Sequence, residues 1–283
     1  MLKHVLVATD FSKRSAIACE RAFDLAGLTG AEITYLHVID EDQPQSLIDA
    51  AKREAEILFS PGGPTPRTDL KVNHRVLVGD PHEAINDAAD DAGADLLVFG
   101  AHRRAPLRNA FIGTTAERTI RRSRIPALVV RISGQGLYRK PVCALDLVHQ
   151  DFAPWRGASR LAIMDSAGAR ILFAYESGSL DLLRKANKGV KSMEEYLRAE
   201  RSAVLPSVAK AMQDLGLKPE QAELVTTYIS PAETILDFAK REKSDLIVVG
   251  THQKSAFDRV MLGSVSGAVL NRSDLDVLVV PPA

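Results

Sequence analysis

The chain has 283 residues, enough for two domains of ordinary size, and 46% of them are hydrophobic and 25% charged, as in average globular proteins. Its 36 lysines and arginines balance its 36 aspartates and glutamates, so no global field favours nucleic acid or an anionic membrane as a partner. No apolar stretch approaches the roughly 20 residues that span a bilayer, and the amino terminus runs directly into a strand-like pattern. We therefore expect a cytoplasmic protein. The two cysteines, Cys19 and Cys143, lack metal-ligand spacing and predict neither a disulfide framework nor a metal site.

The first half alternates short apolar runs with longer segments of helical period, the pattern of strands joined by crossover helices. We predict strands at His4–Ala8, Glu32–Ile39, Lys71–Val78, Leu96–Gly100 and Ala127–Val130. We predict helices at Ser12–Ala26, Gln45–Phe59, Pro81–Ala92 and Thr114–Arg122. The segment SPGGPTPRTD, residues 60–69, predicts a loop because its prolines and glycines suit neither period.

The second half repeats the first. GDPHEAI at 79–85 aligns with ISPAETI at 229–235, ADLLVFGAH at 94–102 with SDLIVVGTH at 244–252, and PALVV at 126–130 with DVLVV at 276–280, always at an offset of 150. VLVATDFS around Asp10 aligns with VCALDLVH around Asp146 at a smaller offset. Strands of the second half are predicted at Val142–Leu147, Arg170–Tyr175, Ala222–Thr227, Leu246–Gly250 and Val277–Val280.

The difference between the two offsets places an insertion between the second and third strands of the second half. Residues 180–215 of this stretch carry a helical pattern with leucines and methionines among many charges. We expect this helix to pack on its own sheet, because an amphipathic face normally meets its own core. A groove that binds a partner is the alternative.

The predicted fold class is α/β, with two tandem doubly wound domains at residues 1–133 and 138–283. Runs such as DLLVF and DLIVV are apolar on both faces, as in parallel strands covered by helices on both sides, so each domain is predicted to hold a five-stranded parallel sheet. The last strand of each half is a short apolar edge, and two such edges invite pairing. We therefore expect an internal pseudo-two-fold dimer, and a homodimer of the whole chain stays open.

In doubly wound sheets, ligands bind beyond the carboxyl ends of the strands. Asp10 and Asp146 follow the first strands, and Gly100 and Gly250 end the fourth, so we expect all four at one rim. A glycine at that place lets the backbone approach a ligand closely. The two aspartates are alternatively caps of the helices that follow them.

Two loops with the same glycine spacing follow the fourth strands, GAHRRAPLRNAFIGTT at 100–115 and GTHQKSAFDRVMLGSV at 250–265. Gly113 with Thr114 and Thr115, and Gly263 with Ser264, open helices whose free amide groups can hold an anion. The spacing of a Walker loop is absent from both.

These residues resemble the universal stress proteins. The resemblance rests on VATDFS, on LHVID in the second strand, on GDPHEAI, and on a fourth strand leading into G-x(12)-G-[ST], and it covers nearly the whole chain twice, as in the tandem type. It implies a fold like that of the adenine nucleotide alpha-hydrolases and a non-catalytic role in the stress response.

The nucleotide-binding branch of that family has the pattern G-x(2)-G-x(9)-G-[ST]. The resemblance implies an adenine nucleotide such as ATP as ligand. In the first half it gives the binding roles to Asp10, Val38, Gly100, Gly113 and Thr114. In the second half it gives them to Asp146, Gly250, Gly263 and Ser264, with Tyr175 about where the valine would be.

Both loops depart from that pattern at its middle glycine, which is Arg103 in the first half and Gln253 in the second. A side chain there can block the close approach of the phosphates. Arg103 could instead donate charge-assisted hydrogen bonds to them. Nucleotide binding in one half and a purely structural loop therefore both stay open.

Two other functions remain alternatives at this point. A weak ATPase or nucleotide hydrolase is compatible with the fold, although the chain lacks a Walker lysine, an acidic pair for magnesium and a nucleophile beside a base. An adaptor is the other alternative, because residues 101–131 hold eight arginines against the single acid Glu117. Arg118, Arg121 and Arg122 lie among them at the end of a predicted helix and can equally be a solvated face.

Overall fold

A computed structural model describes residues 1–59, 70–101, 114–147, 152–176, 190–227, 230–251 and 262–282. Its strands are β1 His4–Ala8, β2 Glu32–Ile39, β3 Val72–Val78, β4 Leu96–Gly100, β5 Ala127–Val130, β6 Pro141–Leu145, β7 Arg170–Glu176, β8 Ala222–Thr227, β9 Leu246–Gly250 and β10 Asp276–Val280. Its helices are α1 Lys13–Thr29, α2 Gln45–Phe59, α3 Pro81–Ala92, α4 Thr115–Ile120, α5 Ala153–Leu161, α6 Val190–Asp214, α7 Pro231–Arg241 and α8 Ser264–Arg272. None of these described helices has the length and apolar character that crossing a membrane requires.

The predicted elements are confirmed within a few residues at their ends. Among the helices of the first half, the largest difference is at α1, which continues three residues past the predicted end at Ala26. It ends at Gly30, whose φ of 72° is the left-handed conformation that caps helices. The predicted loop at residues 60–69 lies outside the described part of the chain.

The strands form one ten-stranded sheet in the order β3-β2-β1-β4-β5-β10-β9-β6-β7-β8. Within each half the strands are parallel and the first strand lies between the second and the fourth, which is the predicted doubly wound order. The α/β fold class and the two five-stranded halves are therefore confirmed. The point between the first and fourth strands is where ligands bind in such sheets.

Two apolar cores cover the faces of this sheet, and each continues through both halves. The first core packs α1, α5 and α6 on one face, and the second core packs α3, α4, α7 and α8 on the other. The side chains of β4 alternate between the two cores. Leu96 and Val98 belong to the first core, and Leu97 and Phe99 belong to the second. Burial on both faces explains why the strands read as continuous apolar runs.

The edge strands β5 and β10 pair with each other, as predicted, and the pairing is antiparallel. Antiparallel pairing turns the two halves head to tail, so the carboxyl ends of their strands lie at opposite edges of the sheet. The expectation that Asp10, Gly100, Asp146 and Gly250 share one rim is therefore wrong. The chain has two rims, with Asp10 and Gly100 at one and Asp146 and Gly250 at the other.

The insertion of the second half forms the long helix α6 between β7 and β8. Val208, Ala211 and Met212 from its second half are buried in the first core. The expected packing of this helix on its own sheet is confirmed.

A buried polar cluster ties the segment between the halves to both of them. The Asp276 carboxylate accepts hydrogen bonds from the Tyr138 hydroxyl at 2.6 Å and from the backbone N–H of Arg131 at 2.7 Å. Burial raises the pKa of Asp276 despite these hydrogen bonds. The Arg21 guanidinium of α1 lies 4.1 Å from the Tyr138 ring centroid and donates to the Gly136 carbonyl at 2.7 Å. The connection is therefore held by specific contacts, and domain limits at 133 and 138 stay a prediction.

Candidate functional site

Three of the candidate residues, Arg103, Gly113 and Gln253, lie outside the described part of the chain. The others divide between the two rims. Asp10, Val38, Gly100, Thr114 and Thr115 belong to the first rim, and Asp146, Gly250, Gly263 and Ser264 belong to the second.

Asp10 forms a tight turn between β1 and α1. Its Oδ1 accepts a hydrogen bond from the backbone N–H of Ser12 at 3.0 Å, and Ser12, not Asp10, is the N-cap of α1. Burial acts to raise the pKa of Asp10, but hydrogen bonds from Ser12 and Ser15 outweigh it and hold that pKa below its ordinary value. Asp10 is thus exposed and ionised at neutral pH. The prediction that Asp10 caps the helix is wrong because the chain makes one further turn before α1 begins.

Phe11 is a feature of this turn that the sequence did not indicate. Its φ is 57°, a left-handed conformation that is rare for residues with a bulky side chain. The ring packs between His37, with centroids 4.6 Å apart, and Phe59, at 5.0 Å. These ring contacts hold a backbone conformation that glycine would adopt without strain, and they connect the turn at Asp10 to the end of α2.

Val38 of β2 is half-buried and packs against the second core, close to the end of its strand. It lies two residues beyond the β2 partner of Ala8. In the second half, the residue two beyond the β7 partner of Ala144 is Ala174, which packs against the same core. The equivalent of Val38 is therefore Ala174 and not Tyr175, and it lies at the offset of 136 residues that also relates Asp10 to Asp146.

Gly100 is required by packing inside the protein. A Cβ at this position would lie 2.6 Å from the Arg14 carbonyl oxygen and 2.8 Å from the Ser15 backbone nitrogen. The first turn of α1 therefore occupies the space beside Gly100 in which a ligand was expected. This explains a glycine at the end of β4 without any bound molecule.

Thr114 and Glu117 cap the N-terminus of α4 with two hydrogen bonds to each other. The Thr114 hydroxyl accepts from the Glu117 backbone N–H at 3.2 Å, and the Glu117 carboxylate accepts from the Thr114 backbone N–H at 3.3 Å, which together form a capping box. Thr115 is exposed, and its carbonyl accepts the Thr119 hydroxyl at 2.7 Å. At the first rim, the backbone N–H groups of Thr114 and Glu117 are thus already hydrogen-bonded, and a carboxylate lies beside them. The sequence had predicted free amide groups that could bind an anion at this place.

The N-terminus of α8 at the second rim has a different arrangement. Its N-cap is Gly263, with no side-chain cap, and the first turn contains no acidic residue. A Cβ added to Gly263 would meet nothing within 4 Å among the described residues, and Ser264 is exposed. The residue aligned with Glu117 at the offset of 150 is Gly267. This terminus therefore keeps the positive end of the helix dipole without a carboxylate of its own.

The end of β9 adds a buried hydroxyl to the second rim. Thr251 is 1% exposed, and its Oγ1 has no hydrogen-bond partner among the described residues. It follows Gly250, whose carbonyl accepts a short hydrogen bond from the Ser266 hydroxyl of α8. Asp146 lies just past β6 at the same rim and is half-buried. It does not cap α5, whose N-cap is Phe152.

Arg118 of α4, and Arg122 just after this helix, make ion pairs with residues at the start of α3. Arg122 lies 2.6 Å from the Glu83 carboxylate, and Arg118 lies 3.6 Å from that of Asp80. The Arg122 pair recurs 150 residues later as Arg272 and Glu233, at 2.9 Å. These contacts belong to helix packing that both halves share. Among the described residues no group of three His, Cys, Asp or Glu could hold a metal ion.

The fold and the two rims define a pair of fused α/β domains of the doubly wound type. The model of the Universal stress protein family matches residues 1–131 and again residues 138–281. The chain therefore belongs to the universal stress proteins and carries two copies of their domain.

Similar proteins cover either one half or the whole chain. The universal stress protein MJ0577 of Methanocaldococcus jannaschii is 28% identical over 158 residues, which cover 46% of this chain and 96% of that protein. The universal stress protein Mb2028c of Mycobacterium bovis is 21% identical over 298 residues, which cover 97% of this chain and 96% of the relative. The similarity to this relative therefore extends over both halves of the chain.

One solved structure has this fold over nearly the whole chain. The structure of PA1789 from Pseudomonas aeruginosa, a protein described as functionally unknown, has a TM-score of 0.69 at 19% identity and covers 99% of this chain and 93% of its own. A universal stress protein solved in complex with cAMP is 28% identical, with a TM-score of 0.36, and covers 46% of this chain and 96% of its own.

Proposed function

We propose that this chain is a non-catalytic, cytoplasmic stress-response protein that binds an adenine nucleotide at the second rim. The observation that carries this assignment is the contrast between the two matched helix ends. Glu117 closes the N-terminus of α4, whereas the N-terminus of α8 has no side-chain cap and no acidic residue in its first turn.

Electrostatics favour the second rim for the phosphate groups. A helix N-terminus attracts an anion through its free N–H groups and its dipole. At the first rim, the Glu117 carboxylate already accepts one of those N–H groups, and its charge repels a second anion. At the second rim, Gly267 has no side chain to compete, and among the described residues no atom lies within 4 Å of the place that a Cβ on Gly263 would take.

The Thr251 hydroxyl supports the same assignment. The Thr251 hydroxyl is buried and has no partner among the described residues. A buried hydroxyl that lacks a hydrogen bond costs about 1–3 kcal/mol in proteins, so a ligand oxygen that accepts from it regains a stabilising contact. The first half has Ala101 at the aligned position, which offers no such donor. Asp146 and Ala174 are the residues of the second rim that correspond to the adenine side of the family site.

Two substitutions that exchange the glutamate and the glycine of the matched helix ends, Glu117→Gly and Gly267→Glu, test the proposal. Thermal unfolding is followed with ATP, with AMP and in buffer, because a ligand that binds only the folded state raises its stability by about 2.7 kcal/mol at a hundred times Kd. We expect the shift in the unchanged protein to disappear in Gly267→Glu and to persist in Glu117→Gly. A shift that survives in Gly267→Glu and grows in Glu117→Gly would move the site to the first rim.

Two further measurements complete this test. Glu117→Gln keeps the hydrogen bonds of the capping box but removes its charge. It therefore distinguishes two reasons why an anion is disfavoured at the first rim, namely repulsion by the carboxylate and the prior use of the N–H groups. ATP hydrolysis by the purified protein, measured against a buffer blank, addresses the enzyme alternative. Turnover above the blank that Gly267→Glu abolishes would contradict the non-catalytic assignment.

A further inference from the structure

One side of α3 is acidic and faces solvent. The helix packs apolar residues, among them Ile85 and Ala89, into the second core. Asp87, Asp90 and Asp91 lie on the opposite side of the helix, three and four residues apart, and all three are exposed. Within the described part of the chain, none of their carboxylates takes part in an ion pair. We call these three residues the acidic stripe.

The acidic stripe opposes the stability of its own helix. Asp87 lies three and four residues before Asp90 and Asp91, a spacing at which like charges repel each other. Asp90 and Asp91 also lie in the last turn of α3, which contains no basic residue, at the negative end of the helix dipole. The aligned residues of α7 are Lys240 and Arg241, whose charge this end of a helix favours. Cations from outside the chain would therefore relieve repulsion that folding leaves in α3.

Two exposed arginines lie close to α3, at the end of the helix that packs against it. Arg121 is the C-cap of α4, and Arg124 follows three residues later. Arg118 and Arg122 are neutralised by carboxylates at the start of α3, but the guanidinium groups of Arg121 and Arg124 make no ion pair among the described residues. We call Arg121 and Arg124 the arginine pair.

The acidic stripe and the arginine pair are neighbours on one surface. Arg122, which lies between the two arginines in the chain, is 2.6 Å from the Glu83 carboxylate. Glu83 is exposed and lies one turn before Asp87 on the same side of α3. The Asn86 amide, next to Asp87 in the chain, donates to the Thr119 carbonyl of α4 at 3.3 Å. Opposite charges thus lie near each other, yet in the ranges that the structure describes no ion pair joins them.

A second copy of the chain carries the charges that complement this surface. A two-fold axis through the surface would place the acidic stripe of each copy against the arginine pair of the other, so that each group of charge faces the opposite sign. A polyanion would be attracted by the arginine pair but repelled by the acidic stripe, and a polycation would meet the reverse. Charge complementarity therefore favours a second copy over either of these partners.

The surface occurs once in the chain. At the offset of 150, Asn271 and Asp274 stand in the places of Arg121 and Arg124, so the second half has no arginine pair. The aligned positions of α7 likewise have no acidic stripe. A surface that complements itself and occurs once per chain is satisfied by two copies, so it closes a dimer and does not continue into a filament.

We propose that two copies of this chain associate through this surface as a two-fold dimer, with the acidic stripe of each copy against the arginine pair of the other. The proposal does not depend on nucleotide binding at the second rim, because α3 and α4 belong to the first half. All of these side chains are exposed, so salt screens their attraction, and the dimer dissociates as the salt concentration rises.

Sedimentation velocity of the full chain, over a range of protein concentrations, tests for the dimer. We expect a dimer whose dissociation constant is about tenfold higher in about 1 M than in about 0.1 M sodium chloride, because the screening length falls from about 10 Å to about 3 Å. A monomer at every concentration in the lower salt would overturn the second copy as the occupant. A dimer that is insensitive to salt, or a species that keeps growing beyond two copies, would overturn the proposed contact.

Charge reversal locates the surface. One variant combines Arg121→Glu with Arg124→Glu, and the other combines Asp87→Lys, Asp90→Lys and Asp91→Lys. Each variant alone should stay monomeric, because like charges then meet across the two-fold axis. An equimolar mixture of the two variants should form a heterodimer, since opposite charges meet again at both contacts. A dimer of either variant alone, or a mixture that stays monomeric, would overturn the proposal.

A matched control uses the aligned positions of the second half. Asp237→Lys with Asn271→Glu also reverses or adds charge at exposed residues, and it should leave the dissociation constant unchanged. Loss of the dimer in this control would place the contact on the second half and overturn the assignment to α3 and α4. Thermal unfolding of every variant shows that a monomer is a folded one.

Discussion

Leu128 and Leu278 lie opposite each other in the antiparallel pairing of β5 and β10, and they are 150 residues apart, the same offset that relates the two halves. Each is therefore the pseudo-symmetric copy of its own partner. The neighbouring pairs agree, because Val129 faces Val277 and Ala127 faces Val279. The pseudo-two-fold axis of the molecule thus passes between the two leucines.

Loss of either central leucine should destabilise the protein to a similar extent. Leu128 and Leu278 are both fully buried, and a buried leucine replaced by alanine costs about 2–5 kcal/mol. Urea unfolding of Leu128→Ala and Leu278→Ala measures this cost, and Leu47→Ala, at a residue that is 54% exposed, is the control. A loss confined to one of the two leucine variants would argue that the junction is not energetically symmetric.

The fold was predictable because the strands are buried on both faces. The runs DLLVF and DLIVV have no polar alternation, and this pattern gave the parallel sheet and its covering helices. The sequence also predicted that the edge strands pair, but not that the rims are opposed. That direction follows from symmetry. Two identical edges related by a two-fold axis can pair only in opposite directions, as Leu128 and Leu278 do.

The site was less predictable, since glycines and caps have more than one physical cause. Gly100 was assigned to a ligand, and only the position of α1 reveals that the Arg14 carbonyl requires it. The capping box was readable in the sequence, because Thr114 and Glu117 have the T-x-x-E spacing that marks a helix start. The positive φ of Phe11 could not be predicted from the sequence. The rings that hold it, those of His37 and Phe59, are distant in the chain, and the residues next to Phe11 give no indication of this conformation.

A pair of glycine substitutions tests the packing role of Gly100. In Gly100→Ala the new Cβ lies 2.6 Å from the Arg14 carbonyl oxygen, so α1 must shift, and overpacking of this kind costs about 1–3 kcal/mol. Gly263→Ala places its Cβ, at a φ of −59°, where it meets no described residue within 4 Å, and it should change stability by only about a few tenths of a kcal/mol. Thermal unfolding without ligand measures both. Equal stability of the two variants would contradict the packing role of Gly100.

At Phe11 the smaller substitution should be the better tolerated one. Phe11→Ala loses the ring contacts with His37 and Phe59 and keeps a side chain at a φ of 57°. Phe11→Gly loses the same contacts but removes the strain, which is about 1–2 kcal/mol for a left-handed residue. We therefore expect the glycine variant to be more stable than the alanine variant by about 1 kcal/mol in urea unfolding. The opposite order would show that the turn at Asp10 relaxes once the ring is gone.

Cys19 should be nearly inert toward thiol reagents in the native protein. Burial raises the pKa of its thiol to about 11, and the nearby charges of Asp10 and Glu20 act in the same direction. Since the thiolate is the reactive form, the ionised fraction at about pH 8 is about a hundredfold lower than for a thiol with the ordinary value. Reaction with Ellman's reagent should accordingly be slow in the folded protein and rapid for both cysteines in guanidinium chloride. In Cys143→Ala, which isolates the Cys19 signal, fast native labelling at that pH would show that α1 opens readily around this thiol.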